Sequence, residues 1–236
     1  MQEPKSTVLV VGASRGIGLE ISNYLVKDYR VIACARSPRP ATLERDIEYF
    51  EYDASDREKV AVDFLEDNNL KLDAIIYVAG ISLTRETPDP MRFIQTVQNN
   101  LINPFLVISS LISRLSANSA ILLISSINAH LAFPSNPGYV ASKAGLDGLM
   151  RALSLDLSHI PCRVNSLSLG YFRTEMTNES FENPIERDRR SARTILGRWG
   201  KLSEIPPVAE FLISQKASYL TGQSIILDGG WTVKGL

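Results

Sequence analysis

Tyr139 and Lys143 stand four residues apart in the stretch GYVASKAG, residues 138–145. On a helix, positions i and i+4 share one face, so both side chains point toward one site. A free tyrosine has a pKa near ~10 and is a poor proton donor or acceptor at neutral pH. A cation one turn away stabilises the phenolate and is expected to lower that value. A carbonyl that accepts a hydride needs a proton at its oxygen, and Tyr139 is the candidate general acid. Lys143 would tune it and hold the ribose of a cofactor. Alone, such a pair more often ends in solvent, but it has company. Ser126 closes the apolar run SAILLISS, at the strand edge where doubly wound folds bind ligands. Asn100 lies on the helix before that strand. A hydroxyl to orient the carbonyl and an amide to order a water complete a proton-transfer site.

A second constellation is GASRGIG, residues 12–18, directly after the first apolar strand. Gly12, Gly16 and Gly18 permit a tight turn and close backbone approach, and the helix they open attracts a pyrophosphate. A glycine triplet alone is weak; its place after a strand strengthens it. Arg15 lies in this loop and Arg36 follows the second strand. No Asp or Glu stands at 35–37. Arginine there favours the 2′-phosphate of NADP over the free hydroxyl of NAD. The plainer alternative is two solvated surface charges. Asp53, at the end of the third strand, caps the following helix or accepts a hydrogen bond from adenine.

These residues need a frame, and the chain supplies one. Apolar, β-branched runs at 7–12, 30–35, 47–53, 72–80, 119–126, 162–170 and 224–230 alternate with helical segments. The helices are expected from the glycine loop to about 27, then at about 56–66, 90–115, 139–158 and 206–214. Near-continuous apolar strands between helices mean a parallel sheet covered on both faces. The expected fold class is α/β: a doubly wound (Rossmann) seven-stranded parallel sheet with helices on both faces. Residues 1–236 are expected to form a single dinucleotide-binding oxidoreductase domain. The polar insertion 171–200 reads as a substrate lid.

Composition bounds the rest. The 236 residues carry a formal net charge of −1 and are 44% hydrophobic, so nothing suggests nucleic acid or a membrane surface as partner. The longest apolar region, LINPFLVISSLISRL, is too short and polar to span a bilayer. No apolar run with a cleavage site opens the chain, so a cytoplasmic location is expected. Cys34 and Cys162 sit in apolar runs and read as buried thiols. No cluster has metal-ligand spacing, so no metal is expected. His130 and His159 read as surface or turn residues. The run ERDRRSAR, 186–193, reads as a solvated face or as a contact for an anionic substrate or acidic carrier. Trp199 borders the substrate or packs at a subunit contact.

With these residues in order, the chain resembles the short-chain dehydrogenase/reductase family nearly end to end. The resemblance runs through GASRGIG, YDASD, the Ala79-Gly80 of YVAG, NLINPF, ISS, YVASK, RVNSLSLGYFRTEM, GRWG and YLTGQSIILDGG. It is nearest in look to the 3-oxoacyl-carrier-protein reductase-like members. The resemblance implies a catalytic tetrad of Asn100, Ser126, Tyr139 and Lys143. Ser126 would bind the substrate carbonyl oxygen, Tyr139 would act as general acid in reduction, and Asn100 would hold a water in a proton relay. It implies that Gly12, Ser14, Arg15, Gly16, Ile17 and Gly18 cradle the cofactor, NADP(H). Arg36 would take its 2′-phosphate, and Asp53 with Ala54 its adenine. Ala79, Gly80 and Gly170 would border it, and Phe172 and Thr174 would contact the nicotinamide amide and pyrophosphate.

The implied reaction is NADPH-dependent reduction of a ketone, free or carrier-bound, with a 3-oxoacyl thioester as first substrate. A dehydrogenase or reductase of a sugar derivative or hydroxy acid is the alternative, and a non-catalytic dinucleotide sensor ranks last. An enoyl reductase of the family would space tyrosine and lysine more widely. The family implies a homo-tetramer or homo-dimer. Three positions depart from its motifs: Val11 replaces a threonine, Val78 an asparagine and Leu169 a proline. The first two remove polar side chains that brace the loops, and the third frees a backbone near the nicotinamide.

Overall fold

The computed structural model describes residues 5–56, 70–83 and 89–234. The helix expected at about 56–66 falls almost wholly outside them. Strand β1 is Thr7–Val11, β2 Arg30–Ala35, β3 Glu48–Glu51, β4 Leu72–Tyr77, β5 Leu115–Ser126, β6 Arg163–Leu169 and β7 Ser224–Leu227. They form one seven-stranded sheet in the order β3-β2-β1-β4-β5-β6-β7, parallel at every pairing. This is the doubly wound Rossmann sheet that the alternation of runs implied.

The strand pattern explains why helices cover both faces. All five residues of β1 are buried. Side chains alternate across a strand. Leu9 and Val11 therefore enter one apolar core and Val8 and Val10 the other. Each such buried aliphatic contributes about 1.5–3 kcal/mol relative to exposure. The first core lies beneath helix α4, Pro137–Asp156, through Leu146, Met150 and Leu153. The second is closed by α1, Gly16–Leu25, and α7, Pro206–Ile213.

Between β4 and β5 runs a long helix in three parts. α2 is Pro90–Val97, residues Gln98–Ile102 form a π-helical turn, and α3 is Asn103–Leu111. α2 starts at a good cap: the Asp89 carboxylate accepts from the N–H groups of Met91 and Arg92, and Pro90 follows. The insertion 171–200 carries α5, Asn178–Glu182, and α6, Pro184–Arg193. Among the described residues no helix is long and apolar enough to cross a membrane.

Candidate active site

The strand order reverses around β1, whose neighbours are β2 and β4. In open α/β sheets that switch point is where ligands bind. The glycine loop sits there. An added Cβ at Gly18 would stand 2.1 Å from the Gly12 carbonyl oxygen, so the loop closes on itself only with glycine. Gly12 has φ +96°, and a Cβ there would strike Ala79. α1 then opens with no side-chain cap on its first N–H groups and no acidic residue in its first turn. Such a terminus is complementary to a phosphate. Ser14 is half-buried at this loop, and Ile17 packs its side chain against the second core.

Val11 and Val78, two of the departures, are joined through the backbone. The Val11 carbonyl accepts from the N–H groups of Val78, at 2.8 Å, and Ala79, at 3.1 Å. Backbone thus ties the glycine loop to the 78–80 loop. At Leu169, the third departure, the strand continues in register with Leu227, and the Gly170 N–H donates to the Leu227 carbonyl at 3.0 Å.

The two arginines separate. Arg36 is exposed at the end of β2. Arg15 instead pairs with Glu175, on the segment after β6, at 2.8 Å. Asp53 closes its own turn: its carboxylate accepts from the Ser55 N–H at 2.9 Å and the Ser55 hydroxyl at 2.7 Å. Ala54 lies in that turn and packs partly on the first core. Phe172 is buried in the second apolar core, its ring packed against Gly200. Thr174 lies within reach of Gly16, with 4.0 Å between its Cβ and one built on that glycine.

The proton-transfer residues converge at the end of β5 and the start of α4. Ser126 is the last residue of β5 and accepts from the Asn128 N–H at 3.2 Å. Its hydroxyl donates to Asn128 Oδ1 at 3.3 Å and is near enough to the Tyr139 phenol to influence its pKa. Lys143 is 4% exposed. Its Nζ donates to the Ile124 carbonyl at 2.9 Å and lies 5.7 Å from the centre of the Tyr139 ring. An ammonium has three donors. Ile124 is its one acceptor among the described residues, which leaves two donors for a ribose. They face the 78–80 loop, where a Cβ on Gly80 would stand 3.7 Å from Nζ.

The electrostatics correct one expectation. Burial pushes the Tyr139 phenol up from its ordinary value, the Ser126 hydroxyl pulls it partly back, and Tyr171 adds to the rise. Lys143 was expected to lower it, but is not among the groups that move it. The ammonium lies over the ring, and burial weakens its own charge by lowering its pKa to about 8, against the pull of Asp147. The chain by itself therefore keeps Tyr139 protonated at neutral pH, the form a general acid requires.

Asn100 corrects another. It is 1% exposed, inside the π-helical turn. Such a turn carries an extra residue and often marks a functional position. Pro104, four residues on, has no N–H to give the Asn100 carbonyl. The Asn100 side chain clamps Ile81: Oδ1 accepts from its N–H and Nδ2 donates to its carbonyl, both at 2.8 Å. The second Nδ2 proton goes to Ser142 Oγ at 3.1 Å. The amide expected to order a water has spent both donors on the protein.

The lid segment is built on aromatics. Tyr171 packs within 5.1 Å of Trp199 and 4.9 Å of Trp231, ring centre to ring centre, and Phe133 joins at 6.3 Å. Trp199 is buried and donates from Nε1 to the Arg187 carbonyl, which places it beneath α6. Arg190 lies 4.5 Å above the Tyr171 ring and Arg193 5.9 Å from that of Trp231. His159 sits in the exposed turn after α4. His130 is an exposed residue on the turn after β5, as expected, and its ring also reaches inward: Nε2 bonds Ser168 Oγ at 3.2 Å and lies 3.5 Å from Asp147. Reading the sequence missed Asp147. Its signal was position, one turn beyond Lys143 on the same face. No group of three or more His, Cys, Asp or Glu among the described residues could hold a metal ion.

A Rossmann sheet, a glycine loop at its switch point and a Ser–Tyr–Lys cluster beside it define an oxidoreductase of the dinucleotide-binding type. A family model described as Enoyl-(Acyl carrier protein) reductase matches residues 12–232. The 3-oxoacyl-(acyl-carrier-protein) reductase MabA of Mycobacterium avium is 30% identical over 95% of this chain and 89% of its own. The gluconate 5-dehydrogenase of Gluconobacter oxydans is 28% identical over 95% of this chain and 94% of its own. A gluconate 5-dehydrogenase from Burkholderia cenocepacia, solved in complex with NADP and tartrate, superposes with a TM-score of 0.90 at 26% identity. It covers 98% of this chain and 96% of that one. The chain belongs to the short-chain dehydrogenase/reductase family, oxidoreductases that act on CH–OH groups with NAD(P)(H).

Proposed function

We propose that the protein reduces a ketone to a secondary alcohol with NADPH, Tyr139 serving as general acid. The observation that carries this is the buried Tyr139 hydroxyl, kept protonated by its burial and grouped with Ser126 and a buried lysine. Gly12, Ser14, Arg15, Gly16, Ile17 and Gly18 would hold the pyrophosphate, and Asp53 with Ala54 the adenine. Arg36 would hold the 2′-phosphate; the Arg15–Glu175 pair is exposed, worth little, and open to exchange for a phosphate. Ala79, Gly80, Gly170, the Phe172 main chain, Thr174 and Lys143 would surround the nicotinamide riboside. When bound, the nicotinamide supplies the hydride. Ser126 orients the carbonyl oxygen and Tyr139 delivers the proton to it. The NADP bound by the Burkholderia protein supports the cofactor reading.

Two substrate classes fit. A 3-oxoacyl thioester is the first, supported by relatives such as the mycobacterial reductase. The four-residue Tyr–Lys spacing speaks against an enoyl substrate. A hydroxy acid or sugar acid is the second, and a specific observation favours it. Tyr171, near enough to raise the Tyr139 pKa, lies beneath the Arg190 guanidinium. That guanidinium, paired with Glu186 at 3.5 Å, is a cation on the aromatic wall of the lid and suits a carboxylate. NADPH oxidation with an acetoacetyl thioester and with a keto sugar acid tests the reading. Turnover of either supports ketone reduction and selects the class. NADPH binding without turnover of any ketone would contradict it. The exposed Met91, Phe93, Ile94, Phe105 and Leu106 on α2–α3 support a homo-tetramer or homo-dimer.

A further inference from the structure

A polar seam runs beneath α4, against the face of the sheet that otherwise carries the first apolar core. β6 reads RVNSLSL, and its alternate residues Val164, Ser166 and Ser168 are register partners of Ile121, Leu123 and Ser125 on β5. Val164, Ile121 and Leu123 belong to the core beneath α4, so Ser166, Ser168 and Ser125 face α4 too. Asp147 meets them from α4. It is 3% exposed. Its Oδ1 accepts from Ser166 Oγ and its Oδ2 from Ser224 Oγ of β7, each at 2.9 Å. Ser168 Oγ bonds Ser224 Oγ at 3.0 Å. His130, on the turn after β5, reaches Ser168, Ser224 and, at 3.5 Å, Asp147 itself. The hydroxyl of Ser125, the register partner of Ser168, is buried and finds no partner among the described residues.

A buried carboxylate is retained only where something offsets its desolvation. Two serine hydroxyls and a half-exposed imidazole do part of that. The full positive charge that shares its helix face is Lys143, four residues earlier, also buried, with one carbonyl for a partner. We propose that Asp147 is a positioning residue for the reaction. Its carboxylate, fixed by Ser166 and Ser224, is the counter-charge that keeps the Lys143 ammonium protonated and in place. The direction of its influence agrees: Asp147 raises the lysine pKa against the burial that lowers it. The groups that contact Asp147 are Ser166 on β6, Ser224 on β7 and His130 on the turn. Lys143, one turn earlier on the same helix face, brings the cation of the active site.

The inference rests on the reading of Lys143 as the cofactor-facing cation, and the two can fail separately. NADPH binding is titrated by fluorescence from pH 6 to 10 in wild type, Asp147→Asn, Ser224→Ala and Lys143→Met. In wild type, affinity should fall as the pH rises through the Lys143 value of about 8. Asp147→Asn should move that fall to lower pH by roughly one unit, the scale of a nearby opposite charge. Ser224→Ala, which removes one hydrogen bond and leaves the charge, should keep the wild-type profile. An unmoved profile in Asp147→Asn, or an equal displacement in Ser224→Ala, would overturn the inference. Where Asp147→Asn does not fold, the near-isosteric Asp147→Leu carries the same expectation. Lys143→Met binding NADPH as wild type does would instead overturn the reading beneath it.

Discussion

At the scale of the residue, Lys143 carries a cost that shows as a pH dependence. Its folded pKa, about 8, lies below the ordinary lysine value of 10.5. Above about pH 8 the unfolded chain therefore binds the extra proton, and stability rises with pH where that holds. Between pH 8 and 9.5 the wild type should gain on the order of 1–2 kcal/mol relative to Lys143→Met. Urea unfolding at the two pH values measures it, and equal slopes would contradict the burial of a charged lysine. Tyr139, Lys143 and Ser126 were legible because helix and strand geometry fixes their directions from spacing alone. The spent Asn100 amide was not. Its partner Ile81 lies 19 residues away, and no local pattern encodes that bond. The His130–Asp147 contact draws residues from separate elements and was equally hidden.

At the scale of the element, one buried cation holds a helix end. Arg163 opens β6 at 9% exposure and donates to the carbonyls of Leu212, Ile213 and Ser214, at 2.9, 3.2 and 3.0 Å. These are the last carbonyls of α7, which have no partner within the helix. Arg163→Met should cost about 2–4 kcal/mol in chemical unfolding, because it orphans several buried acceptors at once. A loss under ~0.5 kcal/mol, the range of an ordinary surface change, would show that water replaces the guanidinium. The strands were legible as apolar runs, and most ends fell within a few residues. β5 begins earlier than its apolar core, at Leu115, because Leu115 pairs with Leu72 across an irregularity in β4. The helix expected at 90–115 hid a π-helical turn. One extra residue hardly disturbs a helical hydrophobic pattern, so only backbone geometry reveals it.

At the scale of the whole molecule, the sheet order brings the glycine loop, the end of β2 and the 78–80 loop to one edge. Parallel strands with short connections can be arranged in few ways, which is why the topology followed from the alternation of runs. Cofactor preference belongs to this scale, since Arg36 matters only through where β2 ends. Arg36→Asp should weaken NADPH by roughly tenfold or more, ~1.4 kcal/mol, and leave NADH nearly unchanged. An unaltered NADPH/NADH ratio would remove the 2′-phosphate from Arg36. The substrate was not legible, because aromatics and arginines at 133, 171, 190, 193, 199 and 231 meet only in the folded lid.

The most direct test of the central claim is Tyr139→Phe, assayed for both NADPH affinity and ketone reduction. The substitution removes one oxygen and keeps the ring. NADPH affinity should stay within about twofold, and turnover should fall by ~10²–10⁴ or more, the range of general acid catalysis. Turnover retained at the wild-type rate would show that another group delivers the proton, and the account of the site would be wrong.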